Sequence, residues 1–102
     1  MSVVVVPSSA EWPESFARIA EDLRGALSGV PMIGIEHVGS TSVPGLAAKP
    51  IIDVDVIVRR HAVDDVIRAL EAVGYEHRGD LGLADREAFF APDDRPARNV
   101  YV

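Results

Sequence analysis

Two hydrophobic rhythms run along this chain, one of about 3.6 residues and one of two, and together they lay out its elements. Val3 to Val6 is a short apolar run halted by Pro7 and two serines, and it predicts a first strand. Phe16, Ile19, Ala20, Leu23, Ala26 and Leu27 then recur at helical spacing up to Gly29 and Pro31, with Pro13 suited to the first helical position. Such a helix buries one apolar face on a sheet, and Trp12 just ahead of it reads as a hydrophobic lock on its entry angle. Ile33 to Val38 predicts a strand running into Gly39, and Ile51 to Val58 predicts another. A second helical stripe, Val63, Val66, Ile67, Leu70 and Val73, opens on Asp64 and Asp65, whose charge favours a helix N-terminus, and closes at Gly74. Tyr75 to Arg78 and Arg86 to Ala91 read as strands around a Gly- and Asp-containing loop, 92–96 as a turn, and Asn99 to Val102 as a late strand. This order of elements predicts an α/β (α+β) fold, a mixed sheet with helices packed on it.

The stretch 51–58 breaks its own apolar pattern. Ile52, Val54, Val56 and Val58 share one face of an extended strand, while Asp53 and Asp55 share the other with Ile51 and Ile57. Apolar residues on both faces predict an interior strand of a sheet covered on both sides, with the aspartates opening into a cleft. Their alpha carbons stand roughly 6.7 Å apart. At an effective dielectric near 20 the two charges repel by about 2.5 kcal/mol, so the pair calls for water, a cation or a basic neighbour. Mg²⁺ and similar hard cations take one or two carboxylates plus phosphate oxygens, an arrangement these two side chains can supply. The same spacing also fits a strand end whose carboxylates meet solvent or pair with Arg59, Arg60 or Lys49.

Twelve residues separate the Gly39-Ser40 pair from Asp53. A missing side chain at Gly39 lets backbone amides approach an anion, and Ser40 and Thr41 add hydroxyl donors to the same turn. Taken alone, a Gly-Ser pair is equally a plain exit from a strand. Lys49 is the only lysine among ten basic residues and, with Arg98 on the late strand, is a candidate partner for an anion.

Residues 36–56, EHVGSTSVPGLAAKPIIDVDV, resemble the signature of the GrpB family, which is similar in turn to the nucleotidyltransferase superfamily of the DNA polymerase beta type. The superfamily pattern falls on Val38, Gly39 and Ser40 and then on Asp53, Val54 and Asp55. The likeness extends to the opening PSSAEWPESF (7–16) and to the late run Arg98 to Val102, so it covers nearly the whole chain. The resemblance implies a nucleotidyltransferase-like domain over 1–102 that moves a nucleotidyl group from a nucleoside triphosphate to an acceptor. It further implies that Gly39 and Ser40 hold phosphate and that Asp53 and Asp55 hold Mg²⁺ or Mn²⁺ as metal ligands and catalytic residues. Active superfamily members use a third carboxylate on a later strand, and the late strand here has none. Asp80, Asp85 and Glu87 are nearby acids to which no motif assigns that role, and family members often carry His where Tyr101 stands. Relatives usually continue into a C-terminal helical segment, so a form ending at Val102 is expected to be shortened and to leave a strand open to self-association. The departures keep open a binding module that holds a nucleotide or another phosphorylated small molecule without chemistry, or an interaction domain in which the motif serves as scaffold.

Composition narrows the frame. With 102 residues, 48% of them hydrophobic, the chain can form one core but not two. A net charge of -6 argues against a broad nucleic-acid surface. No cysteine is present, which removes disulfides and thiol ligands, and His37, His61 and His77 show no zinc-ligand spacing. No apolar stretch approaches the length of a membrane span, and no basic residue precedes Arg18, so no signal or anchor is expected and the cytoplasm is the default compartment.

Overall fold

A computed structural model describes residues 4–80 and 86–102. Helix α1 (Glu11–Ala26) leads into strand β1 (Gly34–Val38) and strand β2 (Ile52–Ile57). Helix α2 (Val63–Ala72) and strands β3 (Glu76–His77), β4 (Ala88–Phe90) and β5 (Arg98–Tyr101) follow. Short 3₁₀ turns at Ser40–Ser42 and Arg60–Ala62 follow β1 and precede α2. The five strands form one sheet in the order β1-β2-β5-β4-β3. Only the β2–β5 neighbours run parallel, so the sheet is mixed, as the order of elements predicts.

Both helices bury their apolar stripes on one face of this sheet. Trp12, Ile19, Leu23 and Leu27 of the first helical segment and Val66 and Leu70 of α2 meet Ile52, Val54, Val56, Phe89 and Val100 in one cluster. Val54, Val66, Leu70, Phe89 and Val100 are fully excluded from solvent. Burying each such side chain contributes about 1.5–3 kcal/mol relative to leaving it in water.

Four expectations change. The strand predicted over Val3 to Val6 reduces to a single bridge between Val6 and Ala48, with Val3 outside the described residues. Helix α1 begins at Glu11, two residues before Pro13, because Ser9 Oγ accepts the Glu11 N–H at 3.1 Å and the first turn tolerates a proline without its N–H. Trp12 is therefore inside the helix and 7% exposed, a core residue rather than a lock ahead of it. The fourth change concerns the sheet. Ile52, Val54 and Val56 are buried, while Asp53, Asp55 and Ile57 on the other face are only half-buried. Among the described residues, then, helices cover one face. Two ionised carboxylates are too costly to bury under an apolar layer, which explains why the face they share stays open. No helix of the described residues is long and apolar enough to cross a membrane.

Candidate functional site

Register assembles the open face around the aspartates. Asp53 lies beside Val38 of β1 and Asn99 of β5, and Asp55 lies beside Glu36 and Tyr101. Directly paired residues point the same way, so all six side chains share this face. Asn99 Nδ2 donates to Asp53 Oδ1 at 3.3 Å. Arg86 Nη2 donates to Asp55 Oδ1 at 3.1 Å, and its guanidinium carbon stands 3.8 Å from the centre of the Tyr101 ring.

The turn after β1 closes directly onto this pair. Gly39 has φ 74° and ψ −170°, a conformation open to glycine alone. A β-carbon built on it would lie 2.5 Å from Asp53 Oδ2, so the turn backbone touches the carboxylate. Ser40 follows, exposed to solvent, and Ser42 Oγ donates to Gly39 O at 2.6 Å to tighten the turn. Thr41 is 5% exposed and its Oγ1 shares a 2.9 Å hydrogen bond with His37 Nε2, so it braces the turn from inside. The His37 ring stacks on Phe16 at 4.9 Å between centroids, on the helix-covered side.

Electrostatics follow from this placement. Burial raises the Asp53 carboxyl above its ordinary value, with the Asp55 charge adding to the rise and the Asn99 hydrogen bond and Arg86 opposing it. Burial lowers His37, against the pull of the Asp53 charge. Burial likewise raises the Tyr101 phenol, and Asp53 reinforces that rise. Beyond Asp55 a cavity of about 950 Å³ opens at the carboxyl ends of β2 and β5, lined by Ile57, Ile67, Arg86, Tyr101 and Val102 among others. The carboxyl ends of parallel strands are where open α/β sheets commonly receive ligands.

The structure thus brings together Gly39, Ser40, Asp53 and Asp55. Lys49 is exposed on the loop leading into β2. Arg98 stands apart: its register partner is Ile52, on the helix-covered face. There Arg98 Nε donates to the Tyr75 hydroxyl at 2.9 Å, and Nη1 donates to Asp93 Oδ1 and Pro96 O at 2.8 Å each. Among the three nearby acids, Glu87 turns to the other face, where Oε1 lies 2.8 Å from His77 Nε2. Asp80 is exposed in the turn after β3, and Asp85 lies outside the described residues. Among the described residues no three His, Asp or Glu side chains converge as a ligand set. Sequence reasoning passed over Glu36, Arg86, Asn99 and Tyr101 as members of this face. Period two along β1 and β5 carries the signal for three of them, but only once both strands are known to flank β2.

The comparisons with known proteins agree with this fold. The family model described as GrpB protein matches residues 2–102. UPF0157 protein PA4798 of Pseudomonas aeruginosa is 47% identical over 75 residues, covering 72% of this chain and 31% of that protein. A dephospho-CoA kinase of Mycolicibacterium paratuberculosis is 40% identical over 126 aligned positions, covering 98% of this chain and 31% of that protein. The crystal structure of conserved protein GrpB from Enterococcus faecalis superposes with a TM-score of 0.81 at 37% identity, covering 96% of this chain and 59% of that one. The chain spans about a third of the length of these two curated relatives. With the signature turn seated on Asp53, a family match over nearly every residue and a shared fold, this chain belongs to the GrpB family.

Proposed function

We propose that this chain binds a nucleoside triphosphate with Mg²⁺ or Mn²⁺ on the open face of β2, and that it transfers a nucleotidyl group from that ligand to an acceptor in the cytoplasm. The observation that carries the reading is the contact of the Gly39 turn with Asp53, which puts backbone N–H groups, the Ser40 hydroxyl and two carboxylates in one place. The donor set fits the metal: hard oxygens, two carboxylates, open solvent for waters and phosphate, and a half-buried Asp53 that holds its charge at a cost. When bound, the cation would neutralise charge developing on the phosphates. Asp53 and Asp55 would hold it, the turn would orient the phosphates, and Asn99 would fix the Asp53 rotamer. The name of the mycobacterial relative, of which this chain matches under a third, supports a phosphate-bearing ligand and no more.

A second reading, binding without turnover, draws on β5. Asn99 and Tyr101 flank the aspartates there, and Glu87, on the wall of the adjoining cavity, is engaged by His77, so β5 supplies no carboxylate beside Asp53 and Asp55 for acceptor activation. Thermal melts test the shared part of both readings. Mg²⁺ with ATP should raise Tm more than either alone, by roughly 10–20 °C at a hundredfold excess over Kd. An equal rise in Asp53→Asn and Asp55→Asn would reject the site. Pyrophosphate release over a panel of nucleotides and acceptors then separates enzyme from binder.

A further inference from the structure

Among the described residues, Arg86 is a cation on the open face that lies outside the GrpB signature of 36–56. Arg86 donates to Asp55 at 3.1 Å and lies over the Tyr101 ring at 3.8 Å. Both side chains of the ion pair are more than a third exposed, so the contact can open without unpacking the core. The Gly39 turn meets the pair of aspartates at the Asp53 end, and Arg86 meets it at the Asp55 end, on the wall of the adjoining cavity. The two anion-binding elements therefore stand at opposite ends of the carboxylate pair, whose alpha carbons are roughly 6.7 Å apart on an extended strand. A chain of two or three phosphoryl groups laid over both carboxylates reaches from one element to the other.

We propose that Arg86 is the second phosphate-binding element of this site: it serves as counterion to Asp55 in the empty protein and transfers its N–H groups to the distal phosphate of a polyphosphate chain laid from the Gly39–Ser40 turn along β2. The inference rests on the nucleotide reading above and adds to it the direction and length of the ligand. A cation held by Asp53 and Asp55 would compete with the guanidinium for Asp55 and repel it. The Tyr101 face keeps the displaced guanidinium in place, since cation–π attraction needs no carboxylate. An arginine suits the handover because its planar fork meets carboxylate and phosphate with the same two-pronged geometry.

Isothermal titration of the 102-residue chain separates this role from that of a plain counterion, because the two predict opposite signs. The probes are Mg²⁺ alone, then orthophosphate, pyrophosphate and tripolyphosphate at saturating Mg²⁺. For the parent, affinity should rise from orthophosphate to tripolyphosphate. In Arg86→Leu, Mg²⁺ alone should bind several-fold tighter, orthophosphate should be unchanged, and tripolyphosphate should bind about tenfold weaker, the worth of one charge-assisted hydrogen bond. Arg86→Lys retains the charge at Asp55 and decides the matter should the leucine variant fail to fold: Mg²⁺ binding stays near the parent's while tripolyphosphate weakens several-fold. Tripolyphosphate binding as tight as the parent's in both variants would overturn the proposal and leave Arg86 a counterion. A parent that binds Mg²⁺ and orthophosphate with no gain from chain length would overturn it as well, with the metal site intact. A parent that binds neither Mg²⁺ nor any phosphate would remove the nucleotide reading and this inference together.

Discussion

Gly39 lies so close to Asp53 that a β-carbon on it would stand 2.5 Å from the carboxylate oxygen Oδ2. Two penalties follow for Gly39→Ala. The backbone at φ 74° and ψ −170° is essentially reserved for glycine, which costs about 1–3 kcal/mol, and the clash drives Asp53 out of its rotamer. The expected outcome is a less stable protein that loses its metal-nucleotide melt shift. Removing the carboxylate relieves only the clash. In urea melts of Gly39→Ala, Asp53→Ala and the pair, the double variant should therefore be more stable than additivity predicts by about 1 kcal/mol. Strict additivity would mean that the turn and the aspartate do not press on each other.

Asp53 also sets a pH dependence. Burial raises its carboxyl, so between the ordinary aspartate range and the raised value the folded protein binds more protons than the unfolded chain. That contribution to stability is full at low pH and is lost as pH rises through the raised value. Asp53→Asn should remove this slope and melt higher than the parent at neutral pH without ligand. Mg²⁺ should narrow the difference, since it stabilises only the ionised parent. Identical pH profiles for parent and variant would show that Asp53 carries no such strain.

What the chain makes legible is local. Period two places Asp53 and Asp55 on one face and Val54 and Val56 on the other, and the burial of β2 alternates accordingly. Helical spacing likewise finds Ile19, Leu23, Val66 and Leu70, all buried. Partners across the sheet are a different matter. Nothing local says that β5, more than 40 residues on, inserts beside β2, so Asn99 and Tyr101 enter the site only through that parallel register. The same gap explains Arg98, which shares a strand with both but points the opposite way. Counting alternation from Asn99 would have set Arg98 on the other face had the neighbour been known. The second face stays open for a simpler reason: Ile51 and Ile57 flank the aspartates, but two charges outweigh two isoleucines where a covering layer would have to form.

His37 should mark the acid limb of stability. Burial lowers its imidazole, so the unfolded chain takes up a proton more readily than the folded one. The contribution is full above about pH 6.5, the ordinary histidine value, and is lost as pH falls through the lowered one. His37→Gln retains a partner for the Thr41 hydroxyl and should flatten this limb with little change at neutral pH. His37→Phe should flatten it too, but at a cost of about 1–3 kcal/mol at every pH, because Thr41 Oγ1 is left buried without its partner. Melts from pH 5 to 8 would read both effects, and an unchanged acid limb in either variant would show that another group sets it.

Arg98 tests where the ligand is not. Its side chain is 10% exposed and ties β5 to the segment 93–96 and to Tyr75, whose ring is itself in the core. Arg98→Met leaves the stem volume largely filled but deprives the Tyr75 hydroxyl and the Pro96 carbonyl of their donor. The expected loss is about 2–3 kcal/mol, or roughly 10–20 °C in Tm. The rise in Tm produced by Mg²⁺ with ATP should be the same as in the parent, because the guanidinium lies across the sheet from Asp53 and Asp55. A folded Arg98→Met protein whose ligand-induced rise has vanished would place the phosphates on the helix-covered face and reverse the assignment of the site.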